Sequence, residues 1–196
     1  MTARARDQFT RYLDLLLAWN RVHRLTGFSS PFEVAEKLFM DSALFLPLFP
    51  PRPVRVADIG AGAGIPGLPL RILDPGIALT LIESRRKAVS FLSTVRRELD
   101  LMDVTVLHGR AELIVTQNID LQGMFDVIVL RAVDRDAALL QAVRAYLKPG
   151  GAFIASGPPP GETSQPAAPG YRTEIKHIRY PDVGVNRTFV VGTVET

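Results

Sequence analysis

From Val54 onward, short apolar runs alternate with stretches of helical periodicity, and few folds accommodate that alternation. Val54 to Ile59 reads as a buried strand, Ile65 to Leu73 as a helix, Ala78 to Ile82 as a strand and Arg85 to Leu99 as a long amphipathic helix. Val104 to His108 and Phe125 to Leu130 are further strands. Asp136 to Leu147 is a helix closed by Lys148-Pro149-Gly150-Gly151, and Ala152 to Ser156 is the next strand. This pace predicts an α/β fold: an open, mostly parallel sheet with helices on both faces. Tyr171 to Tyr180 and Arg187 to Val194 have strand composition and are expected to finish the sheet as an antiparallel pair. Between them and Ser156, the stretch Gly157 to Gly170 is rich in proline and glycine and poor in core-forming residues. It predicts a loop, either a plain connector or a lid.

Ahead of the alternation lie two helical patterns. Phe9, Tyr12, Leu13, Leu16, Leu17 and Trp19 recur at spacings of three and four, the stripe of an amphipathic helix from about Asp7 to Val22. A second helix is expected to start at Ser30, whose hydroxyl can cap it, with Pro31 in the first turn and Glu33 three places on. It runs through Val34, Leu38, Ser42 and Phe45 until Pro47, Pro50, Pro51 and Pro53 break the pattern. Residues 1–53 are therefore read as a helical appendage, and residues 54–196 as the main domain, packed with it as one unit.

Several function classes recede on composition. Apolar stretches fall well short of the ~20 residues of a membrane-spanning helix, and Met1 to Asp7 lack the apolar run of a secretory signal, so a cytoplasmic protein is expected. The chain has no cysteine, and His23, His108 and His177 show no paired spacing, so no metal site is predicted. The net charge is +3. Arginines and lysines group near the start and at Arg85-Arg86-Lys87 and Arg96-Arg97, as solvated helix faces or as a nucleic-acid surface. A monomer is expected.

In an open parallel sheet, ligands bind beyond the carboxyl ends of the strands, where strand order reverses. The first such end is Asp58-Ile59-Gly60-Ala61-Gly62-Ala63-Gly64. Glycines there let backbone approach a ligand closely, but a glycine turn alone suits a dinucleotide as well as other adenosine compounds. Two neighbours tilt the choice. Asp58 would repel a pyrophosphate yet attract an ammonium group, directly or through water. Pro66, at the start of the next helix, removes a backbone N–H that a phosphate would use. The combination favours S-adenosylmethionine. Glu83, about twenty residues beyond the turn, can accept hydrogen bonds from ribose hydroxyls, a placement shared with dinucleotide enzymes. His108-Gly109-Arg110-Ala111-Glu112 follows the third strand and can cover an adenine, although Glu112 also reads as an ordinary helix-start carboxylate. Arg131 ends an apolar strand and must reach solvent or an anion. It is expected to face substrate, or else to pair with a carboxylate such as Asp134.

Leu16-Leu17-Ala18-Trp19-Asn20, Leu25-Thr26, Asp41-Ser42, the block from Asp58 through Ile65-Pro66-Gly67-Leu68-Pro69-Leu70, and Arg131-Ala132 together resemble the RsmG family, also called GidB. The likeness runs from about Phe9 to Gly157, with a thin echo at Arg187-Thr188-Phe189-Val190-Val191. It implies a Rossmann-like class I methyltransferase sheet that carries methyl groups from S-adenosylmethionine to N7 of a guanine in 16S ribosomal RNA, the small-subunit RNA being the partner. Carried over as cofactor residues are Gly60, Ile65, Ala111, Glu112 and Arg131. Asp58, Gly62, Gly64 and Glu83 join them on the physical reading, and Arg131 is the catalytic candidate. Three positions depart from the family pattern: Arg24 stands where asparagine is usual, Leu38 where histidine is, and Ser156 where lysine is. Those departures fall near the expected RNA or catalytic side, so another RNA or small-molecule substrate, or a binding protein without turnover, remains the alternative. Guanine N7 carries a lone pair and no proton, so the lack of an obvious catalytic base fits the implied chemistry.

Overall fold

A computed structural model of the chain describes residues 1–51, 54–133, 135–157, 168–180 and 184–195. Seven strands form one sheet in the order β3-β2-β1-β4-β5-β7-β6. They are β1 (Val54–Ile59), β2 (Ile77–Glu83), β3 (Val104–His108), β4 (Phe125–Leu130), β5 (Leu147–Ser156), β6 (Tyr171–Tyr180) and β7 (Val185–Val194). The first five are parallel; β7 runs antiparallel to β5, and β6 antiparallel to β7. The expected α/β class and antiparallel finish are both present. Strand order reverses between β1 and β4, which sit side by side with Asp58 opposite Val129 and Ile59 opposite Leu130.

Alternation along the central strands divides the core in two. Val56, Leu79, Leu81, Val127 and Val129 belong to one apolar cluster, whereas Ala57, Ile59, Ile82, Ile128 and Leu130 belong to the other. Successive side chains on a strand point to opposite faces, so a sheet buried on both sides needs apolar residues at every position. Helices α4 (Gly67–Leu73) and α5 (Arg86–Glu98) cover the first face, and α6 (Ala111–Gln117) and α7 (Ala137–Tyr146) the second. On α5, Ala88, Phe91, Leu92 and Val95 are buried while Arg86, Lys87, Arg96 and Arg97 stay exposed. Burying a side chain such as Leu92 contributes about 2 kcal/mol.

Helix α1 (Ala3–His23) begins earlier than its apolar stripe suggests, because the Thr2 hydroxyl caps it by accepting the Ala5 N–H at 3.2 Å. It packs outside α4 and α5, with Tyr12 and Leu16 wholly buried. The second helical run comprises α2 (Pro31–Val34), a π-helical turn (Ala35–Met40) and α3 (Asp41–Ala43), followed by a 3-10 turn at Leu46–Leu48. Ser30 is extended ahead of it, but its side chain makes no capping bond; only its carbonyl takes part, accepting the Val34 N–H at 3.0 Å. Periodicity alone gave no sign of the π turn. At the other end, β5 starts at Leu147 rather than Ala152. Leu147 pairs with Phe125 and Ala152 with Val127, so Lys148 to Gly151 form a bulge inside the strand, where the sequence suggested a terminating turn. Most of the proline-rich stretch, residues 158–167, lies outside the described residues.

Candidate active site

The carboxyl ends of β1 to β4 meet at the reversal point, and two cavities open there on either side of Gly60. One, of about 260 Å³, is lined by Gly60, Ile82, Ser84, the turn Gly109 to Glu112, Val133 and Asp136. The other, of about 210 Å³, is lined by Gly60 to Ala63, Ile65, Arg85, Leu25, Thr26, Leu38, Arg131 and Ala132. Gly60 can serve both because it has φ +74° and no side chain; a Cβ there would lie 2.7 Å from Val133 Cγ2.

The glycine turn is tied down by carboxylates. Glu83 is 4% exposed; its Oε2 accepts the Gly62 N–H at 2.7 Å, and its Oε1 accepts the Arg85 N–H at 2.8 Å and Nε at 3.4 Å. Asp58, 1% exposed, accepts the Gly67 N–H on Oδ2 at 2.8 Å. Gly67 must be glycine for this to happen, since a Cβ would stand 2.7 Å from that oxygen. The other oxygen, Oδ1, is buried without a partner among the described residues. Burial chiefly, with the Glu83 charge adding to it, pushes Asp58 up to about 7, against the Gly67 bond and the more distant Arg131. Asp58 thus sits beneath the turn and lines neither cavity. Gly62 and Ile65 face the second cavity, whereas Gly64 packs against Leu68 behind it.

On the first cavity's rim, Ala111 and Glu112 open α6. The Ala111 carbonyl accepts the Tyr146 hydroxyl at 2.9 Å, which holds the turn against α7. Glu112 pairs with the exposed Arg110 at 2.9 Å, and that bond lowers it from the usual carboxylate value. It is therefore both a helix-start carboxylate and a cavity wall. Asp136 caps α7 by accepting the Leu139 N–H at 2.8 Å and faces the same space.

Arg131 closes the second cavity. Its Nη2 lies 3.0 Å from Asp41 Oδ2 and donates to the Lys37 carbonyl at 2.9 Å, and its Nη1 is buried without a partner among the described residues. Burial pulls Arg131 below its ordinary value, and Asp41 opposes that. The same Asp41 receives Arg187 Nε on Oδ1 at 2.5 Å. The carboxylate that pairs with Arg131 thus comes from the second helical run; Asp134 lies outside the described residues. The next residue, Ala132, adopts a left-handed φ of 53°, which costs about 1–2 kcal/mol in a non-glycine residue.

Sequence reasoning named Asp41 and Arg187 only within a resemblance and Arg85 only as part of a basic group on a helix face or nucleic-acid surface; no local signal links residues 41, 131 and 187. Asn20 was in the same position. Its side chain accepts the Thr26 N–H at 2.9 Å and donates to the Phe28 carbonyl at 2.9 Å, fixing the segment that carries Leu25 and Thr26. Of the three departures from the family pattern, Leu38 lines the second cavity, while Arg24 and Ser156 are exposed. No group of three or more potential metal-ligating side chains, and no helix long and apolar enough to cross a membrane, occurs among the described residues.

Solved structures share this fold. A SAM-dependent methyltransferase from Aquifex aeolicus superposes with a TM-score of 0.60 at 16% identity, over 83% of this chain and 93% of that one. A precorrin-6y C5,15-methyltransferase from Geobacter metallireducens gives 0.54 at 13% identity, over 79% and 87%. Closer in sequence is the ribosomal RNA small subunit methyltransferase G of Lactococcus lactis, 41% identical over 149 residues that cover 75% of this chain. The protein of the same name from Streptococcus pyogenes is 41% identical over 157 residues, 79% of this chain. The chain spans 62% and 66% of the length of these two relatives. The family described as GidB, rRNA small subunit methyltransferase G, matches residues 5–157. That match takes in every strand end that builds the two cavities, and the chain belongs to the GidB family.

Proposed function

We propose that the chain binds S-adenosylmethionine across Gly60 and transfers its methyl group to N7 of a guanine in small-subunit ribosomal RNA, in the cytoplasm. One observation carries the cofactor assignment: Asp58 and Glu83 already occupy the Gly67 and Gly62 N–H groups. A pyrophosphate resting on this turn would need those donors and would meet two carboxylates instead. A ligand bearing an ammonium group and ribose hydroxyls meets complementary charge.

The residues fit that group. The adenosine half belongs in the cavity walled by Ile82, Ala111 and Glu112, and the amino-acid half in the one walled by Gly62, Ile65 and Arg131. The unpartnered Asp58 Oδ1 supplies the negative potential for the ammonium. Glu83 would take the ribose hydroxyls on the lone pairs left over from the Gly62 and Arg85 N–H groups it already accepts, with the Arg85 guanidinium displaced from Oε1. When bound, the sulfonium offers an electrophilic methyl carbon: the N7 lone pair forms the new C–N bond as the S–C bond breaks, and its electron pair stays on sulfur. N7 has no proton to lose, so none of these residues need act as a base. Arg131, held by Asp41 and Lys37, orients the base or a flanking phosphate, and the apolar walls at Leu25, Leu38 and Ile65 exclude water. The exposed arginines of α1 and α5 hold the RNA backbone.

The name carried by the relatives supports the RNA substrate, and their greater length makes it a matter for experiment. Small ribosomal subunits lacking the modification are incubated with the chain and labelled S-adenosylmethionine, and the RNA nucleosides are analysed by mass spectrometry. Labelled 7-methylguanosine is expected. Label in a metabolite extract but not in RNA would shift the substrate, and donor binding without transfer to either would make the chain a binding protein.

A further inference from the structure

Glu83 holds the glycine turn from the sheet side; from the opposite side it is held by a helix that precedes the sheet. Tyr12, midway along α1, is wholly buried, and its hydroxyl donates to the Ala63 carbonyl at 2.5 Å. The ring stacks on Phe39 with centroids 4.9 Å apart and 20° between planes, and lies 6.3 Å from Phe91 at 29°. A phenylalanine would fill that stack equally well, so packing does not account for the hydroxyl. A buried hydroxyl without a partner is costly, and this one is committed to a single carbonyl of the turn. Ala63 lines the Arg131-side cavity. Burial, reinforced by the nearby Asp58 charge, raises Tyr12 well above the usual phenol value, which keeps it a donor.

We propose that Tyr12 is a positioning residue for the glycine turn, its O–H to Ala63 carbonyl bond setting the wall against which the amino-acid half of the methyl donor rests. The inference depends on reading this turn as the donor site. It makes α1 part of the cofactor site, although the helix lies outside the sheet and its two covering helices. Arg4, Arg6, Arg11 and Arg21 are exposed on that same helix, so a polyanion held there would be one hydrogen bond away from the cofactor turn.

The test is Tyr12→Phe in the full chain, which keeps the ring and removes only the bond. Calorimetry with S-adenosylhomocysteine should show roughly fivefold weaker binding, while affinity for a ribosomal RNA fragment stays near wild type and the melting temperature falls by a few degrees. Amide exchange at Gly62 to Ile65, measured without ligand, should speed up. Phe39→Leu is the contrast, since it loosens the same ring stack and leaves the hydroxyl; it should lower the melting temperature and leave exchange in the turn unchanged. Wild-type affinity and unchanged turn exchange in Tyr12→Phe would overturn the proposal. Should the wild-type chain bind no donor, the proposed function fails, and the exchange measurement still decides whether Tyr12 positions the turn.

Discussion

The two cavities that meet at Gly60 are built by different means. On the Glu112 side the walls are segments that follow β1, β2, β3 and β4, and every wall residue lies within a few positions of a strand end or helix cap. Its charged walls, Arg110, Glu112 and Asp136, are local too, each standing at a helix start that follows a strand. On the Arg131 side, three charged side chains converge from the second helical run, the end of β4 and β7, and the Arg187 to Asp41 contact spans 146 positions in sequence. Charge is present on both sides, but on one it is set by neighbours in sequence and on the other it is brought together over long range, with Asp41 and Arg187 standing behind the Arg131 that lines the cavity.

If the turn is the shared hinge of both sides, Gly60→Ala should have the largest effect. It forces a side chain into φ +74° and against Val133, and donor binding by calorimetry should weaken roughly 10- to 100-fold. Unchanged affinity would mean that the two cavities do not share a ligand. Asp41→Asn separates the sides. Arg131 and Arg187 lose their common charge, so transfer to RNA should fall roughly tenfold while donor affinity holds. Equal losses in both would show that the ion pairs support the turn as a whole.

Asp58 gives a smaller, pH-dependent effect. Its ordinary value is 3.8 and in the fold it is about 7, so between those values the folded chain holds a proton that the unfolded chain has released. The stability associated with this group is therefore full below about pH 4, declines as pH rises toward about 7 and is flat above that. Asp58→Asn should flatten the profile, measured as the difference in urea midpoints at pH 5 and pH 8. Donor affinity should run the other way, increasing several-fold through about pH 7 as the carboxylate ionises to meet an ammonium. A pH-independent affinity would remove Asp58 from ammonium recognition. The smallest effect is expected at Arg110, whose pair with Glu112 is solvent-exposed. Arg110→Ala should change donor affinity by less than about twofold, and a larger loss would mean that the guanidinium itself touches the ligand.

The limits of the periodic signal follow the same division. Val54 to Ile59, Val104 to His108 and Phe125 to Leu130 are legible to the residue because each is a short run rich in β-branched residues, and in the central β1 and β4 nearly every position is buried. The β5 start was missed because Lys148 to Gly151 have turn composition and occupy a bulge. The π turn at Ala35 to Met40 was missed because apolar spacing does not distinguish it from α-helix over two turns. It carries the Lys37 carbonyl that receives Arg131, so the miss fell at the site.

The sequence by itself determined the α/β sheet, the antiparallel finish and the glycine turn at the end of β1, because these depend on residues close to one another along the chain. Only the tertiary structure decided that Glu83 and Asp58 would hold that turn's amides, that Tyr12 would bond it from a helix 51 positions earlier, and that Asp41 would bind both Arg131 and Arg187. A buried charge or hydroxyl requires a partner but does not specify one. Which carboxylate or carbonyl satisfies it is settled when helices and strands pack, and that choice converted a glycine-rich turn into one whose amide donors are closed to phosphate.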